Sequence, residues 1–414
     1  MYRALTGDWG KFTFLPGEPE GAIGKLAFPD QIGVYVHIPF CLTLCSFCPY
    51  TKVMYSPDMA NSYLECLQTE ARGLISHLNG SRVSSIYFGG GTPMTLPLAI
   101  ESVIEIMKPH LVPGAGIAVE VHPKDVNART VQWLRRAGVT MVSLGIESFD
   151  DQVLGILGRG YDSRTAHSAV EAVMDAGFDT VNADLMTCIP GQVLEQTVAD
   201  FEELLGYNIG QVSAYPLMDF SFTWPASSYS RRDQLRVLSA ISRIGQTRGY
   251  ERSSVWTWTR PRVDKYTSIT RPCFVGIGAG AATYLDGYFA VNTFDVPAYN
   301  NNILAGKSPV ALHSFLTPQE SALYWLFWRC YEGKIDMAAP EIQRIKAFPW
   351  LARFAQGLGL IEEISPADRD KSAVRLTERG LHLYHFLERY YTRTYIGRLW
   401  QICRASAFPE QTVL

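Results

Sequence analysis

Tyr35-Val-His-Ile-Pro-Phe-Cys41-Leu-Thr-Leu-Cys45-Ser-Phe-Cys48 joins an apolar, β-branched run to three cysteines spaced C-x3-C-x2-C. The run from Gly33 to Ile38 predicts a strand, so the cysteines fall on the loop just after it. Three thiolates on one loop can each take an iron of a four-iron cluster, leaving the fourth iron open to a small chelating molecule. Zinc would require a fourth ligand, and His37 lies on a strand whose alternation does not aim it at the loop. The chain has 8 cysteines, and the others, Cys66, Cys188, Cys273, Cys330 and Cys403, are scattered. A tight triplet in a large chain reads as a metal site or redox chemistry, not as a disulfide framework.

Outward from this loop, strand patterns at Gly33–Ile38, Ser84–Phe88, Ile117–Val121, Thr140–Gly145, Thr180–Met186 and Gln211–Tyr215 alternate with helical patterns. The helices are Asp58–His77, Leu96–His110, Ala128–Ala137, Ser163–Ala176 and Leu194–Leu205. This alternation predicts an α/β fold, a parallel sheet curved into a partial (β/α)6 TIM-like barrel. Beyond Tyr215 the rhythm stops. Arg231–Arg248 reads as one more helix, followed by a Trp-rich stretch around Trp256 and Trp258 and a Gly-rich segment, Val275–Gly287. Thr317, Pro318 and Glu320 form a capping box that opens a helix through Cys330. A short helix near Trp350–Leu358, a strand-turn-strand at Leu360–Leu376 and a last helix from Thr377 complete a winged-helix-like α+β module. The expected organisation is an N-terminal arm (1–34), a barrel core (35–230), a core extension (231–310) and the C-terminal module (311–414).

The 414 residues carry a formal charge of only −3. No basic field exists to hold a nucleic-acid backbone, so no nucleic-acid partner is expected, the winged-helix pattern notwithstanding. No apolar run is long enough to span a bilayer and the first residues lack a secretion signal, which makes the cytoplasm the expected compartment, with no membrane partner.

Further motifs follow the cysteines in order. Tyr87-Phe88-Gly89-Gly90-Gly91-Thr92-Pro93 ends the second strand, and its glycine turn lets backbone N–H groups approach a ligand closely. Glu120 ends the third strand; Ser143-Leu-Gly-Ile-Glu147-Ser-Phe149 ends the fourth, with Arg159 beyond; Asp184 and Ile189-Pro190-Gly191-Gln192 end the fifth. In this set the chain resembles the radical S-adenosylmethionine (SAM) enzymes, in the branch related to oxygen-independent coproporphyrinogen III oxidase and often called HemN-like. The resemblance spans Tyr35 to Gly287 and is weaker in the C-terminal module. It implies a [4Fe-4S] cluster on Cys41, Cys45 and Cys48 whose open iron chelates SAM. It also implies an electron donor such as flavodoxin or ferredoxin, and cleavage of SAM to a 5′-deoxyadenosyl radical. Tyr35, Gly89, Gly90, Gly91, Thr92, Glu120 and Asp184 are the implied SAM contacts, and Phe47 is expected to pack on adenine. Glu147 stands where relatives commonly carry Gln, and either accepts from ribose hydroxyls or pairs with Arg159.

For the reaction, the expectation rests on missing residues. Cys48-Pro49-Tyr50 lacks the extra cysteine that the porphyrinogen decarboxylase carries two positions after its third ligand, and that enzyme's Arg/Tyr-rich arm is not recognisable before Tyr35. Thr270-Arg271-Pro272-Cys273-Phe274-Val275-Gly276-Ile277-Gly278 lacks the His-Asn pair of the haem-chaperone branch. These absences favour a class C methyltransferase or cyclopropane-forming enzyme acting on a small natural-product substrate. Such an enzyme uses two SAM molecules, with Tyr215, Met218, Ile277 and Gly278 lining the second SAM and the substrate. A coproporphyrinogen oxidase-like or haem ring-opening tetrapyrrole enzyme is the alternative, and a non-catalytic carrier that keeps the cluster is a third reading.

Overall fold

The structure, a computed structural model, describes residues 12–19, 22–224, 229–267, 271–285, 287–364 and 373–414. Thr270, the first residues of the expected arm and the tip of the Leu360–Leu376 hairpin lie outside the described residues.

Six parallel strands form the barrel wall: β1 (Gln31–Ile38), β2 (Arg82–Gly90), β3 (Leu111–Val121), β4 (Met141–Glu147), β5 (Thr180–Thr187) and β6 (Gln211–Pro216). Each pairs with the next in sequence. The crossovers are α1 (Pro57–His77), α2 (Pro97–Met107), α3 (Ala128–Arg136), α4 (Ser163–Asp175) and α5 (Leu194–Gly206). Side-chain caps start two of them: Asn127 Oδ1 accepts from the Thr130 N–H and Asp162 Oδ1 from the Thr165 N–H. The buried stripe of α1, Ala60, Tyr63, Leu67, Ala71 and Leu74, repeats at three- and four-residue steps and packs on the sheet.

The strands run longer than their apolar patterns. β2 extends to Gly90 because His37 and Ile38 still pair with Gly89 and Gly90, so two of the turn glycines belong to the sheet. A further parallel strand also closes onto β1. Phe274–Ile277, inside the Gly-rich segment, sets Gly276 beside Tyr35 and Ile277 beside Val36. On that side the sheet continues through Ala282–Leu285, Tyr288–Asn292 and Val310–Phe315 to Thr13–Pro16 and Thr412–Val413. Strands from both expected terminal regions thus join the barrel sheet. At the opposite edge Thr257–Thr259 pairs antiparallel with β6.

The C-terminal module opens with α6 (Pro318–Glu332), capped by the expected Thr317–Glu320 box and ended by Gly333 at φ 73°. It packs on a three-stranded sheet of Lys334–Asp336, Ala373–Leu376 and Ile361–Glu363 around Ile335, Ile342, Phe348 and Val374. Two final helices, α7 (Glu378–Tyr391) and α8 (Gly397–Ala405), turn back over the C-terminal ends of the barrel strands. Arg393 of the turn between them pairs with Asp219, past the end of β6, at 3.0 Å. Trp400 of α8 lies 5.7 Å from Tyr50 on the cysteine loop, and Arg404 donates to the Pro49 carbonyl. No described helix is long and apolar enough to cross a membrane.

Candidate active site

Alternation decides what the barrel encloses. Val36, Phe88, Val119, Leu144 and Ala214 face outward and are buried under the helices. Their strand neighbours Tyr35, His37, Tyr87, Glu120, Ser143, Asp184, Ser213 and Tyr215 face the hollow. Register sets these into rows: Glu120 beside Ser143 beside Asn182, and Gly145 beside Asp184 beside Ser213. Tyr35, Tyr87 and Tyr266 form an aromatic floor, with ring centroids 5.9 Å and 5.0 Å apart across the two contacts.

Three carboxylates crowd this space. Glu120 Oε1 accepts from the Tyr87 hydroxyl at 2.7 Å and Oε2 from the Gly90 N–H at 3.3 Å. Asp184 accepts from Ser143 at 2.8 Å and from Asn182 at 2.9 Å. Burial, with Glu147 and Glu120 adding to it, pushes the Asp184 carboxyl up to about 7. Burial also raises Glu120 and Glu147. Glu147 is held at φ 63°, a left-handed conformation costly for a side chain with a Cβ, and the β4–β5 pairing slips just before it. Arg159 answers this strain: its Nη2 donates to the Gly145 carbonyl at 2.6 Å and lies 3.5 Å from the Glu147 carboxylate. Of the two expected roles for Glu147, the structure shows the ion pair. With Arg159 so engaged, the hollow keeps an excess of carboxylate over cation, a match for the sulfonium and ammonium charges of SAM.

The cysteine loop stands over this hollow. Cys41 is buried beside the glycine turn: a Cβ on Gly91 would meet its Sγ at 2.8 Å and the Phe40 carbonyl at 2.7 Å, so the close approach admits no side chain. Thr92 Oγ1 points to the same sulfur at 3.9 Å, and Arg159 Nη1 to the Cys45 sulfur at 3.9 Å. Burial pushes the Cys41 thiol up to about 11 and raises Cys48 as well, while Lys52 pulls against both. Arg404 also lies within electrostatic reach of Cys48. Cations thus ring a site that becomes anionic when its thiolates take metal. Among the described residues no three His, Cys, Asp or Glu side chains converge as a single metal ion requires. Thiolates that each bind a different iron of a cluster need no such convergence.

Phe47 is 7% exposed in an apolar cluster with Val153, Leu157, Ile189 and Leu217, so it anchors the loop to the barrel wall. Met218 and Tyr215 follow at the end of β6, Tyr215 edge-on to Trp256. Ile277 is buried, and the Gly278 N–H donates to Glu70 Oε2 at 2.7 Å.

Several site residues escaped sequence reasoning. His37 does reach the loop, but not toward metal: Nε2 bonds the Thr51 carbonyl at 2.9 Å and Nδ1 the Tyr35 hydroxyl at 3.0 Å. Burial holds its pKa down to about 4, and the neutral ring braces the chain after Cys48. Glu70 on α1 accepts from Gly278, from Asn292 and from the Tyr299 hydroxyl, tying the Gly-rich turn to the barrel. Tyr50 keeps 55% of its surface open and lies against Trp400 of α8 at 5.7 Å, with its hydroxyl within electrostatic reach of Glu120, Tyr215 and Asp184. His37 sat in view within the quoted strand; Glu70 and Tyr50 carried no pattern that marks them.

Residues 35–204 match the family model of the radical SAM superfamily. The match spans the barrel and its cysteine loop, which are therefore similar to a radical SAM domain. The chain is 25% identical over a 430-residue alignment to oxygen-independent coproporphyrinogen III oxidase of Paracoccus denitrificans, with 92% of each chain covered. It is 27% identical over 314 residues to heme chaperone HemW of Lactococcus lactis, covering 68% of this chain and 80% of the relative. Coproporphyrinogen III oxidase (HemN) from Escherichia coli superposes with a TM-score of 0.76 at 20% identity, over 95% of this chain and 98% of that one. The chain is thus similar to the HemN/HemW-like branch of the superfamily, whose cofactors are a [4Fe-4S] cluster and SAM.

These findings correct the expected methyl transfer or cyclopropanation of a natural product. The full-length relative is a coproporphyrinogen oxidase and the other is a haem chaperone. The missing cysteine after Cys48 and the missing His-Asn pair remove particular ligands, and removal of a ligand does not assign a methyl acceptor.

Proposed function

We propose that this protein is a radical SAM oxidoreductase acting on a metal-free tetrapyrrole of the porphyrinogen type. One observation carries the reading: likeness to coproporphyrinogen III oxidase extends over 92% of both chains, so it includes the module that covers the barrel mouth as well as the cofactor core. When bound, the cluster and SAM supply a one-electron cleavage that yields a carbon radical able to take a hydrogen atom from an unactivated C–H bond.

In this reading Cys41, Cys45 and Cys48 hold the cluster, and an external electron donor such as flavodoxin or ferredoxin reduces it. The Gly89–Thr92 turn receives the amino-acid end of SAM, its Gly90, Gly91 and Thr92 N–H groups being held by Glu120, Ile38 and Phe40. Glu120 and Asp184 take its positive charges, and Glu147, locked to Arg159, shapes the ribose side. Tyr35 braces this arrangement through His37. Tyr215, Met218, Ile277 and Gly278 line the substrate side, where a second SAM would also lie. Helices α7 and α8 exclude water from a hollow in which a carbon radical must meet only its intended C–H bond.

Metal-free substrate is favoured over haem by two buried histidines, His37 beside the cysteine loop and His385 on α7. His37 has both ring nitrogens bonded, and so does His385, to Trp256 at 3.0 Å and Gln234 at 3.1 Å. Neither offers a lone pair to a haem iron. The test is anaerobic incubation of reconstituted protein with SAM, a reductant and coproporphyrinogen III. 5′-Deoxyadenosine formation that depends on the porphyrinogen, with a mass change in the tetrapyrrole, is expected. SAM cleavage that ignores every tetrapyrrole offered would overturn the proposal.

A further inference from the structure

The segment that follows the third cysteine is held partly from the far end of the chain. Cys48 to Lys52 lies outside any helix or strand, and Pro49 has no N–H to give, so donors from elsewhere set its course. Lys52 donates to the Cys48 carbonyl, and His37 Nε2 donates to the Thr51 carbonyl at 2.9 Å. Between them the Pro49 carbonyl accepts from the guanidinium of Arg404, 355 residues onward on α8.

Arg404 is an exposed residue, yet its head group is fixed. It lies 4.8 Å from the centre of the Phe222 ring and 5.7 Å from that of Phe294, the spacing of cation–π contacts. The helix itself is pressed against the chain leaving β6. A Cβ on Gly397 would meet the Phe220 ring at 2.9 Å, Trp400 lies 5.6 Å from the same ring, and Phe220 stacks on Phe222 at 5.4 Å. That chain in turn reaches the cysteine loop, where the Trp224 N–H donates to the Ser46 carbonyl at 3.1 Å. Arg404 therefore arrives at the loop on a braced helix, not as a loose surface side chain.

We propose that Arg404 is a positioning residue for the cluster: by gripping the Pro49 carbonyl it fixes the backbone behind Cys48 and keeps a positive charge at that end of the cysteine loop. The inference rests on the cluster assignment and is independent of the substrate. It makes the C-terminal module part of the cofactor holder as well as the cover of the barrel. A thiolate-bound cluster gains negative charge on reduction, so a cation fixed nearby favours the reduced state.

Arg404→Met, Arg404→Lys and, as a charge control, Arg398→Met at an exposed position of the same helix test this in the full chain reconstituted anaerobically with iron and sulfide. The readouts are the midpoint potential, from a titration followed by electron paramagnetic resonance without SAM, and the rate at which a chelator removes iron. Arg404→Met is expected to be harder to reduce by about tenfold in the one-electron equilibrium, about 59 mV, and to release iron faster. Arg404→Lys, which keeps a cation able to reach the carbonyl, should recover most of both changes, and Arg398→Met should match the parent. Parent values in Arg404→Met overturn the proposal. So do equal losses in Arg404→Met and Arg404→Lys, which mark packing of α8, and an equal shift in Arg398→Met, which marks bulk charge. If Arg404→Met takes up no iron, loading of Arg404→Lys sustains the proposal and its failure overturns it. A parent that takes up no iron overturns the cluster assignment itself.

Discussion

Replacing Gly91 by alanine would place a methyl carbon 2.7 Å from the Phe40 carbonyl oxygen and 2.8 Å from both the Cys41 sulfur and the Pro39 carbonyl oxygen. Two of these contacts are backbone atoms of the strand exit that carries the first cluster cysteine, so no rotamer change relieves them. Gly91 is not among the residues with positive φ, which leaves steric overlap as the whole effect. Overpacking of this kind costs about 1–3 kcal/mol, and here relief must come from moving Cys41. Gly73 on α1 supplies the control, being exposed with nothing within 4 Å of its added methyl. Gly73→Ala should gain roughly 0.5–1 kcal/mol. Urea unfolding of the metal-free proteins measures both changes, and iron and sulfide analysis after anaerobic reconstitution measures the site. Gly91→Ala should unfold earlier and lose most of its iron, whereas Gly73→Ala should load fully. A Gly91→Ala protein with full iron and undiminished SAM cleavage would refute the close-approach argument.

Three other perturbations probe the carboxylates and their partners. Arg159→Met strands the buried Glu147 charge and should cost about 3–5 kcal/mol; adding Glu147→Gln should recover much of it, and unfolding free energies that simply add would deny the coupling. Asp184, pushed up to about 7 from an ordinary 3.8, holds its proton longer folded than unfolded, so its stabilising contribution is complete at low pH and is lost as pH rises through 7. Asp184→Asn should therefore gain on the parent in thermal stability from about pH 4 to 7, and parent SAM affinity should rise with pH while the variant's stays flat. A stability gap independent of pH would count against the raised value. Glu70→Leu leaves the Gly278, Asn292 and Tyr299 donors without their acceptor and should cost at least about 1–3 kcal/mol, seen as an earlier urea midpoint.

The cysteine loop, the glycine turn, Glu120, Glu147 and Asp184 were legible because each is local, an apolar run with a chemical residue at its C-terminal edge. The strand Phe274–Ile277 was not: four residues inside a Gly-rich stretch carry no usable period, and pairing with β1 is what makes them a strand. Glu70 lies on an ordinary amphipathic helix and becomes a site residue only when the distant Gly278 turn arrives beside it. Pro49-Tyr50 misled for a different reason. Read as a missing cysteine it pointed away from tetrapyrroles, yet in the structure Tyr50 lies against Trp400 of α8, a contact that only the fold makes.

Electron paramagnetic resonance of the anaerobically reconstituted, reduced protein, recorded with and without SAM, tests the central assignment most directly. About four iron atoms per chain and a cluster signal that changes when SAM occupies the open iron are predicted, with both lost in Cys45→Ala. Zinc in place of iron, or a cluster signal indifferent to SAM, would contradict the assignment.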